Sequence, residues 1–169
     1  MWKIAVTGHR PNKLFGYNLY NNGRIKIGKI FRKLILDRLE KYTQVELITG
    51  MALGVDQVFG LVGVKLKNQG FPVVIHAAIP CIDQPNMWKS REYWDKIKNN
   101  SDIVNYVTEK RYIDDKSCLE KRNRYMVDLC DELFAVCDGS KSGTLNCINY
   151  AIRKNKPILN IYDQLYAKK

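Results

Sequence analysis

The sequence has 169 residues, 46% of them apolar, which is enough for one well-filled core in a single domain spanning residues 1–169. We expect no membrane span, because no run reaches the roughly 18 apolar residues that one requires. The start, MWKIAVTG, does not resemble a signal peptide, so we expect a cytoplasmic protein. The 28 basic residues outnumber the 17 acidic residues and give a net charge of +11, which favours phosphate-bearing ligands or polyanions.

The cysteines and histidines argue against disulfides and metal centres. The five cysteines are odd in number and form no Cys-x-x-Cys pair, which is typical of reduced thiols. Only His9 and His76 are present, too few for a His-rich metal centre. We therefore predict neither a metal nor a cofactor.

In chain order, apolar runs and helical periodicities alternate. Strands are predicted at residues 2–6, 45–48, 72–79, 102–107, 133–136 and 157–161. Helices are predicted at residues 23–42, from 55 to near 70, and at 88–99, 119–129 and 144–154. This alternation predicts right-handed βαβ crossovers. The predicted fold is a single α/β Rossmann-like domain, with a mainly parallel sheet and helices on both faces.

Four unusual polar or glycine-rich stretches follow predicted strands, at residues 7–11, 49–57, 80–88 and 138–144. In open α/β sheets, ligands bind beyond the carboxyl ends of the strands, near the point where the strand order switches. We therefore expect these stretches to share one rim. None of them matches a GxGxxG fingerprint or a Walker loop, so neither a standard dinucleotide dehydrogenase nor a P-loop NTPase is indicated.

Two of these stretches predict phosphate sites at helix starts. Free backbone N–H groups and the helix dipole favour anions there. In the first stretch the predicted contacts are Gly50, Ala52 and Gly54, with a plain strand–helix turn as the alternative. In the second, Gly143 and Thr144 would contact a phosphate or a ribose, or would form only an N-cap and turn.

The remaining candidates are chosen by the chemistry of their side chains. Arg10 suits a phosphate or carboxylate clamp, and His9 suits a hydrogen-bond donor or a general acid–base, or a structural role. Asp56 and Asp138 would hold ribose hydroxyls, or Asp56 would only stabilise the start of its helix. Gln84 and Trp88 are candidates for contacts to a base, with a place in the core as the alternative for Trp88. The other candidate ligand contacts are Arg122, Asn123, Thr7, Gly8, Gly139 and Ser140, with Tyr17 and Tyr20 as a lid.

Four ordered motifs, covering about residues 3 to 160, resemble the YpsA-like branch of the SLOG superfamily. They are Thr7-Gly8-His9-Arg10-Pro11 with Lys13-Leu14 and Tyr17; Gly50-Met51-Ala52-Leu53-Gly54-Val55-Asp56-Gln57; Arg122-Asn123 with Met126-Val127-Asp128; and Cys137-Asp138-Gly139-Ser140 with Gly143-Thr144-Leu145-Asn146-Cys147. The resemblance implies a Rossmann-like domain related to the LOG proteins and to the DNA-binding core of DprA. It also implies a nucleotide or NAD-derived ligand and a homo-oligomer.

Three functions remain open from the sequence. The leading hypothesis is a protein that binds a nucleotide or an NAD/ADP-ribose-type small molecule, as a sensor or sequestering protein. The second is a LOG-like N-glycoside hydrolase, with Asp56, Asp138 or His9 as catalytic candidates. LOG enzymes carry a glutamate in the stretch Pro-Gly-Gly-x-Gly-Thr-x-x-Glu, whereas Cys147 follows 143–146 here, so we expect binding without rapid hydrolysis.

The third function is DprA-like binding of single-stranded nucleic acid. The basic residues crowd the predicted helix 23–42, where they can also be the solvated side of an amphipathic helix. Because they are not interleaved with the aromatic candidates, we expect any nucleic-acid binding to be weak.

Overall fold

Strands and helices alternate in the computed structural model, which describes residues 1–18 and 21–167. The elements are β1 (Trp2–Gly8), a 3₁₀ turn (Pro11–Lys13), α1 (Asn22–Leu39), β2 (Val45–Thr49), α2 (Val55–Asn68), β3 (Val73–Ile79), α3 (Glu92–Asn100), β4 (Ile103–Tyr106), α4 (Cys118–Leu129), β5 (Glu132–Val136), α5 (Gly143–Arg153), β6 (Ile158–Asn160) and α6 (Tyr162–Tyr166).

Within the described residues, all the strands pair in parallel in one sheet, in the order β4-β3-β2-β1-β5-β6. The chain moves outward from β1 to β4 and then returns to the other side of β1 with β5. The strand order therefore switches between β1 and β5, where a ligand crevice is expected in this type of sheet. The predicted α/β fold with a parallel sheet is confirmed.

Helices cover the sheet on both faces. One core lies between the sheet and α1, α2, α3 and α6, and contains the buried side chains of Phe31, Phe59 and Phe134. The smaller core on the other face is formed with α4 and α5, around Met126, Val127 and Cys147. Of the helices in the described part of the chain, none has the length and apolar character needed to cross a bilayer.

Several predicted boundaries differ from the structure. The helix predicted at 88–99 starts only at Glu92, because the preceding residues form turns. The basic tail contains a short helix, α6, which the sequence did not predict; it packs Leu165 into the larger core. The last strand extends only from Ile158 to Asn160.

Three phenylalanines join helices α1 and α2 to strand β5 of the sheet. The ring centroids of Phe31 and Phe59 are 5.2 Å apart, edge to face, and each lies 6.2 Å from that of Phe134. All three side chains are fully buried. Aromatic contacts of this kind add about 0.5–1.5 kcal/mol per pair beyond the burial of apolar area.

We predict that Phe31→Ala lowers the free energy of unfolding by about 3–5 kcal/mol, because it leaves a cavity between α1, α2 and β5. Urea unfolding followed by circular dichroism measures the change. Ile152→Ala, at an exposed position of α5, is the control and should stay within about 0.5 kcal/mol of the parent protein. A small effect of Phe31→Ala would contradict this packing.

Candidate functional site

A cleft of about 290 Å³ lies where the strand order switches, beyond the carboxyl ends of β1 and β5. Its walls come from the loop after β1, the loop between β2 and α2, helix α4 and the first turn of α5. The lining residues are Thr7, Gly8, His9, Arg10, Asn12, Lys13, Ala52, Asp56, Leu119, Arg122, Asn123, Ser142, Gly143 and Thr144.

The floor of the cleft contains a buried ion pair between α4 and α2. Arg122 Nη1 donates to Asp56 Oδ2 at 2.9 Å, and both side chains are 7% exposed. The backbone N–H of Ala52 donates to the same carboxylate oxygen at 3.4 Å. Burial raises the pKa of the Asp56 carboxyl above its ordinary value, against the opposing effects of Arg122 and Ala52.

The glycines of the 49–57 loop serve this ion pair and the local packing. A side chain at Gly50 would collide with the guanidinium of Arg122. Gly54 has a φ of +99° and lies against Pro11, so another residue there would be strained. Neither glycine lines the cleft.

The start of α2 therefore differs from the predicted phosphate site. Asp56 already places a carboxylate in the first turn of this helix, where it interacts favourably with the helix dipole. A second anion at this helix start would meet the Asp56 carboxylate, whose charge is offset by Arg122. Gly50 and Gly54 thus each have a structural reason to be glycine, and their contact with a phosphate stays a prediction.

The start of α5, in contrast, is open. Ser142 caps the helix by accepting a hydrogen bond from Leu145 N at 3.2 Å. Within the described ranges, the backbone N–H groups of Gly143 and Thr144 have no acceptor, and a Cβ added at Gly143 would meet no other atom within 4 Å. Free donors at a helix start favour an anion.

Three cationic side chains line the same cleft: Arg10, Lys13 and Arg122. Arg122 Nε is buried and has no hydrogen-bond partner among the described residues. An unsatisfied buried donor costs about 1–3 kcal/mol, so a ligand or water that accepts this hydrogen bond would be stabilised. Asp56 offsets the charge of Arg122, so Arg10 and Lys13 leave the cleft positively charged, and its free donors can bind an anion.

The loops after β1 and β5 are held together by side-chain contacts. His9 Nε2 lies 2.6 Å from Asp138 Oδ1, and Lys13 Nζ donates to Ser140 Oγ at 3.0 Å. Hydrogen bonds from the hydroxyl and N–H groups of Ser140, and then from His9, hold the pKa of the Asp138 carboxyl well below its usual range. The His9 side chain is almost fully buried, consistent with a structural role.

Cys137 lies beside His9 and Asp138, and the three side chains together could hold a metal ion. The ligand atoms of His9, Cys137 and Asp138 all lie within 4.8 Å of one another. A cation here would compete with the hydrogen bond between His9 and Asp138. The sequence did not predict this grouping, because His9 lies far along the chain from Cys137 and Asp138.

The structure separates the predicted contacts into two groups. Those that line the cleft are Thr7, Gly8, His9, Arg10, Ala52, Asp56, Arg122, Asn123, Gly143 and Thr144. Those that do not are Gly50, Gly54, Gln84, Trp88, Asp138, Gly139 and Ser140. Four further residues line the cleft and were not predicted as contacts: Asn12, Lys13, Leu119 and Ser142. Two of them carry a signal in the sequence, Lys13 as a cation after Pro11 and Ser142 as a helix N-cap residue.

The predicted base contacts lie elsewhere on the rim. Gln84 Nε2 donates to Gly50 O at 3.0 Å, and Gln84 Oε1 accepts from Trp94 Nε1 at 2.9 Å. Trp88 packs against the larger core. Tyr17 is exposed outside the cleft, and Tyr20 lies outside the described residues.

The chain is similar to known proteins over most of its length. Residues 4–163 match the model of the YspA SLOG family. The SPbeta prophage-derived protein YoqJ of Bacillus subtilis is 32% identical over 142 residues, which are 78% of this chain and 83% of that protein. A UPF0398 protein of Bacillus cereus is 27% identical over 161 residues, covering 94% of this chain and 86% of the relative.

Among solved structures, the fold is similar to that of DNA processing protein A. For the Streptococcus pneumoniae protein the TM-score is 0.65 at 17% identity, covering 94% of this chain and 49% of that one. For the Helicobacter pylori protein, described for its single-stranded DNA binding mode, the TM-score is 0.60 at 19% identity, covering 93% and 63%. This chain thus spans about half to two thirds of those structures.

We predict that Arg122→Met lowers the free energy of unfolding by about 3–5 kcal/mol, because it leaves the Asp56 carboxyl buried and unpaired. A carboxyl whose pKa is higher in the folded than in the unfolded state lowers the stability of the fold as the pH rises above the unfolded-state pKa. The destabilisation should therefore grow above acidic pH. Urea unfolding at several pH values measures it.

Two variants test the cause. Adding Asp56→Asn to Arg122→Met should recover much of the lost stability, because it removes the unpaired charge. Breaking the exposed ion pair between Arg124 and Glu120 with Arg124→Met should cost less than about 1 kcal/mol. Equal losses in the single and double variants, at every pH, would contradict a buried-charge effect.

Proposed function

Because this chain belongs to the YspA SLOG family, we propose that it binds a nucleotide or an NAD/ADP-ribose-type small molecule in the cleft between β1 and β5. One observation carries the proposal: the open helix start at Gly143 and Thr144 faces the same cleft as the three cations. Phosphate is the anion that such an arrangement commonly binds. The proposed role is that of a sensor or sequestering protein.

The strength of such a site follows from its charged hydrogen bonds. Each contributes about 1.5–3 kcal/mol. Two or three of them, from Arg10, Lys13 and the α5 start, would support micromolar affinity after the cost of association. The contacts between the loops after β1 and β5 lower this cost, because they hold Arg10 and Lys13 close to α5 before the ligand arrives.

The carboxylates of the site favour binding over hydrolysis. Cleavage of an N-glycosidic bond is usually assisted by a carboxylate that stabilises the sugar or activates water. The Asp56 carboxylate is paired with Arg122. Asp138 does not line the cleft, and its low pKa makes it a weak base. Burial raises the pKa of Cys147 to about 11, so its thiol is neutral near pH 7.

A second candidate function is the binding of single-stranded nucleic acid, favoured by the net charge of +11. The Helicobacter pylori protein of similar fold binds single-stranded DNA. In this chain, however, several cations of α1 are engaged internally. Lys26 donates to Leu165 O, Arg32 to Gln69 Oε1, and Arg38 to Glu132. These contacts make α1 a weaker polyanion surface than its composition indicates.

We predict that the protein binds AMP and ADP-ribose with micromolar affinity, and that the double variant Arg10→Ala, Lys13→Ala weakens this binding at least about tenfold. Isothermal titration calorimetry measures both affinities. The matched control is Lys29→Ala, Lys33→Ala, which removes the same charge from exposed positions of α1. Chromatography should recover the ligands unchanged.

Two results would contradict this proposal. One is the absence of binding by the folded protein; the other is an equal loss in both double variants, which would indicate general electrostatics rather than a site. Release of free adenine from AMP or ADP-ribose over multiple turnovers would instead support the hydrolase.

For nucleic acid we predict weak and strongly salt-dependent binding. Affinity for a single-stranded oligonucleotide should fall by about 0.7 log units per log unit of salt for each phosphate neutralised. Fluorescence anisotropy over a salt series measures the slope. A nanomolar complex with an oligonucleotide of about 30 bases at about 150 mM salt would make nucleic-acid binding the better supported function.

A further inference from the structure

A second cavity, of about 370 Å³, forms a groove between α4 and α5. Its walls include side chains from successive turns of both helices. The residues that matter for the argument are Asn123, Arg124, Asn146, Asn149, Tyr150 and Arg153. Cations, amides and one aromatic ring therefore line the groove.

The groove is continuous with the cleft at the start of α5. Leu119, Asn123 and Gly143 line both cavities. The cleft alone is near the lower end of the size range of small-ligand pockets, about 300–1,000 Å³, and the two together lie well within it. A ligand bound at Gly143 can therefore extend along the groove.

The charge of the groove is positive. Lys116, Arg124 and Arg153 face a single carboxylate, that of Glu120, which pairs with Arg124. In its described ranges, the structure contains no ion pair for Arg153. The guanidinium carbons of Arg124 and Arg153 lie 5.4 and 5.6 Å from the centroid of the Tyr150 ring. These contacts hold both cations at the groove wall.

The polar groups suit a nucleoside rather than an apolar chain. Asn146 and Asn149 are largely exposed and carry amides that both donate and accept hydrogen bonds. Such amides can bind ribose hydroxyls or the edge of a base. Tyr150 is fixed by its hydroxyl, which donates to Asp128 Oδ1 at 3.0 Å.

Building on the proposed function, we infer that the groove binds the second unit of a ligand in which two nucleoside or ribose units are joined through phosphate. The first unit lies in the cleft, with its phosphate at the start of α5. The linking phosphate passes Asn123 and Gly143, and the second unit lies between Asn146 and Arg153. Both pyrophosphate-linked and phosphodiester-linked ligands have this chemistry.

The test compares three ligands by calorimetry: AMP, ADP-ribose, and a 5′-phosphorylated diadenylate. AMP reports the cleft alone, and the two longer ligands separate the pyrophosphate link from the phosphodiester link. We expect at least one of the longer ligands to bind at least about tenfold more tightly than AMP.

The groove variant is Asn146→Ala, Arg153→Ala, and both positions are exposed, so the fold should be retained. This variant should bind the longer ligand no more tightly than it binds AMP. Its affinity for AMP should stay within about twofold of that of the parent protein. The matched control is Lys96→Ala, Asn99→Ala at exposed positions of α3, which should keep the gain. Urea unfolding confirms that both variants are folded.

The outcomes separate this inference from the function on which it rests. If AMP binds but neither longer ligand gains affinity, the groove is not a ligand site and the cleft proposal stands. If the groove variant keeps the full gain, or the control variant loses it equally, the second unit lies elsewhere. If AMP and both longer ligands fail to bind the folded protein, the proposed function fails and the inference fails with it.

Discussion

The buried ion pair between Arg122 and Asp56 connects the two helical layers of this fold. Asp56 belongs to α2 on one face of the sheet, and Arg122 belongs to α4 on the other. The pair therefore crosses the carboxyl edge of the strands and fixes both helices at the rim. Gly50 is required because any side chain there would occupy the space of the guanidinium. One interaction thus sets the position of the cleft floor and the composition of the adjoining loop.

The same pair makes the two helix starts at the rim unequal. The start of α2 carries its own carboxylate, so its dipole is already matched. The start of α5 has no acidic residue in its first turn and keeps free N–H donors. Positive potential is therefore concentrated at one end of the cleft. This asymmetry would give the proposed anion one preferred position, at the start of α5.

Much of the fold was predictable, because apolar periodicity directly reflects which face of each element is buried. The apolar run at 72–79 identified β3, and the glycines marked the turns that follow strands. Which side chains bond to each other was not predictable, since these contacts join residues that are far apart in the sequence. Gln84 looked available for a ligand, yet its amide bonds Gly50 and Trp94. Lys13 was part of a recognised motif but was assigned no contact, yet it reaches Ser140 and lines the cleft.

The position of β5 beside β1 also determines when the cleft can form. Residues 7–13 of the first loop meet residues 142–144 only after β5 has paired with the first strand. Contacts between such distant segments carry a large loop-closure entropy and form late in folding. During synthesis on a ribosome, the chain can assemble β1 to β4 and still have no complete site. A ligand bound in this cleft, as proposed, would therefore stabilise only the fully folded domain.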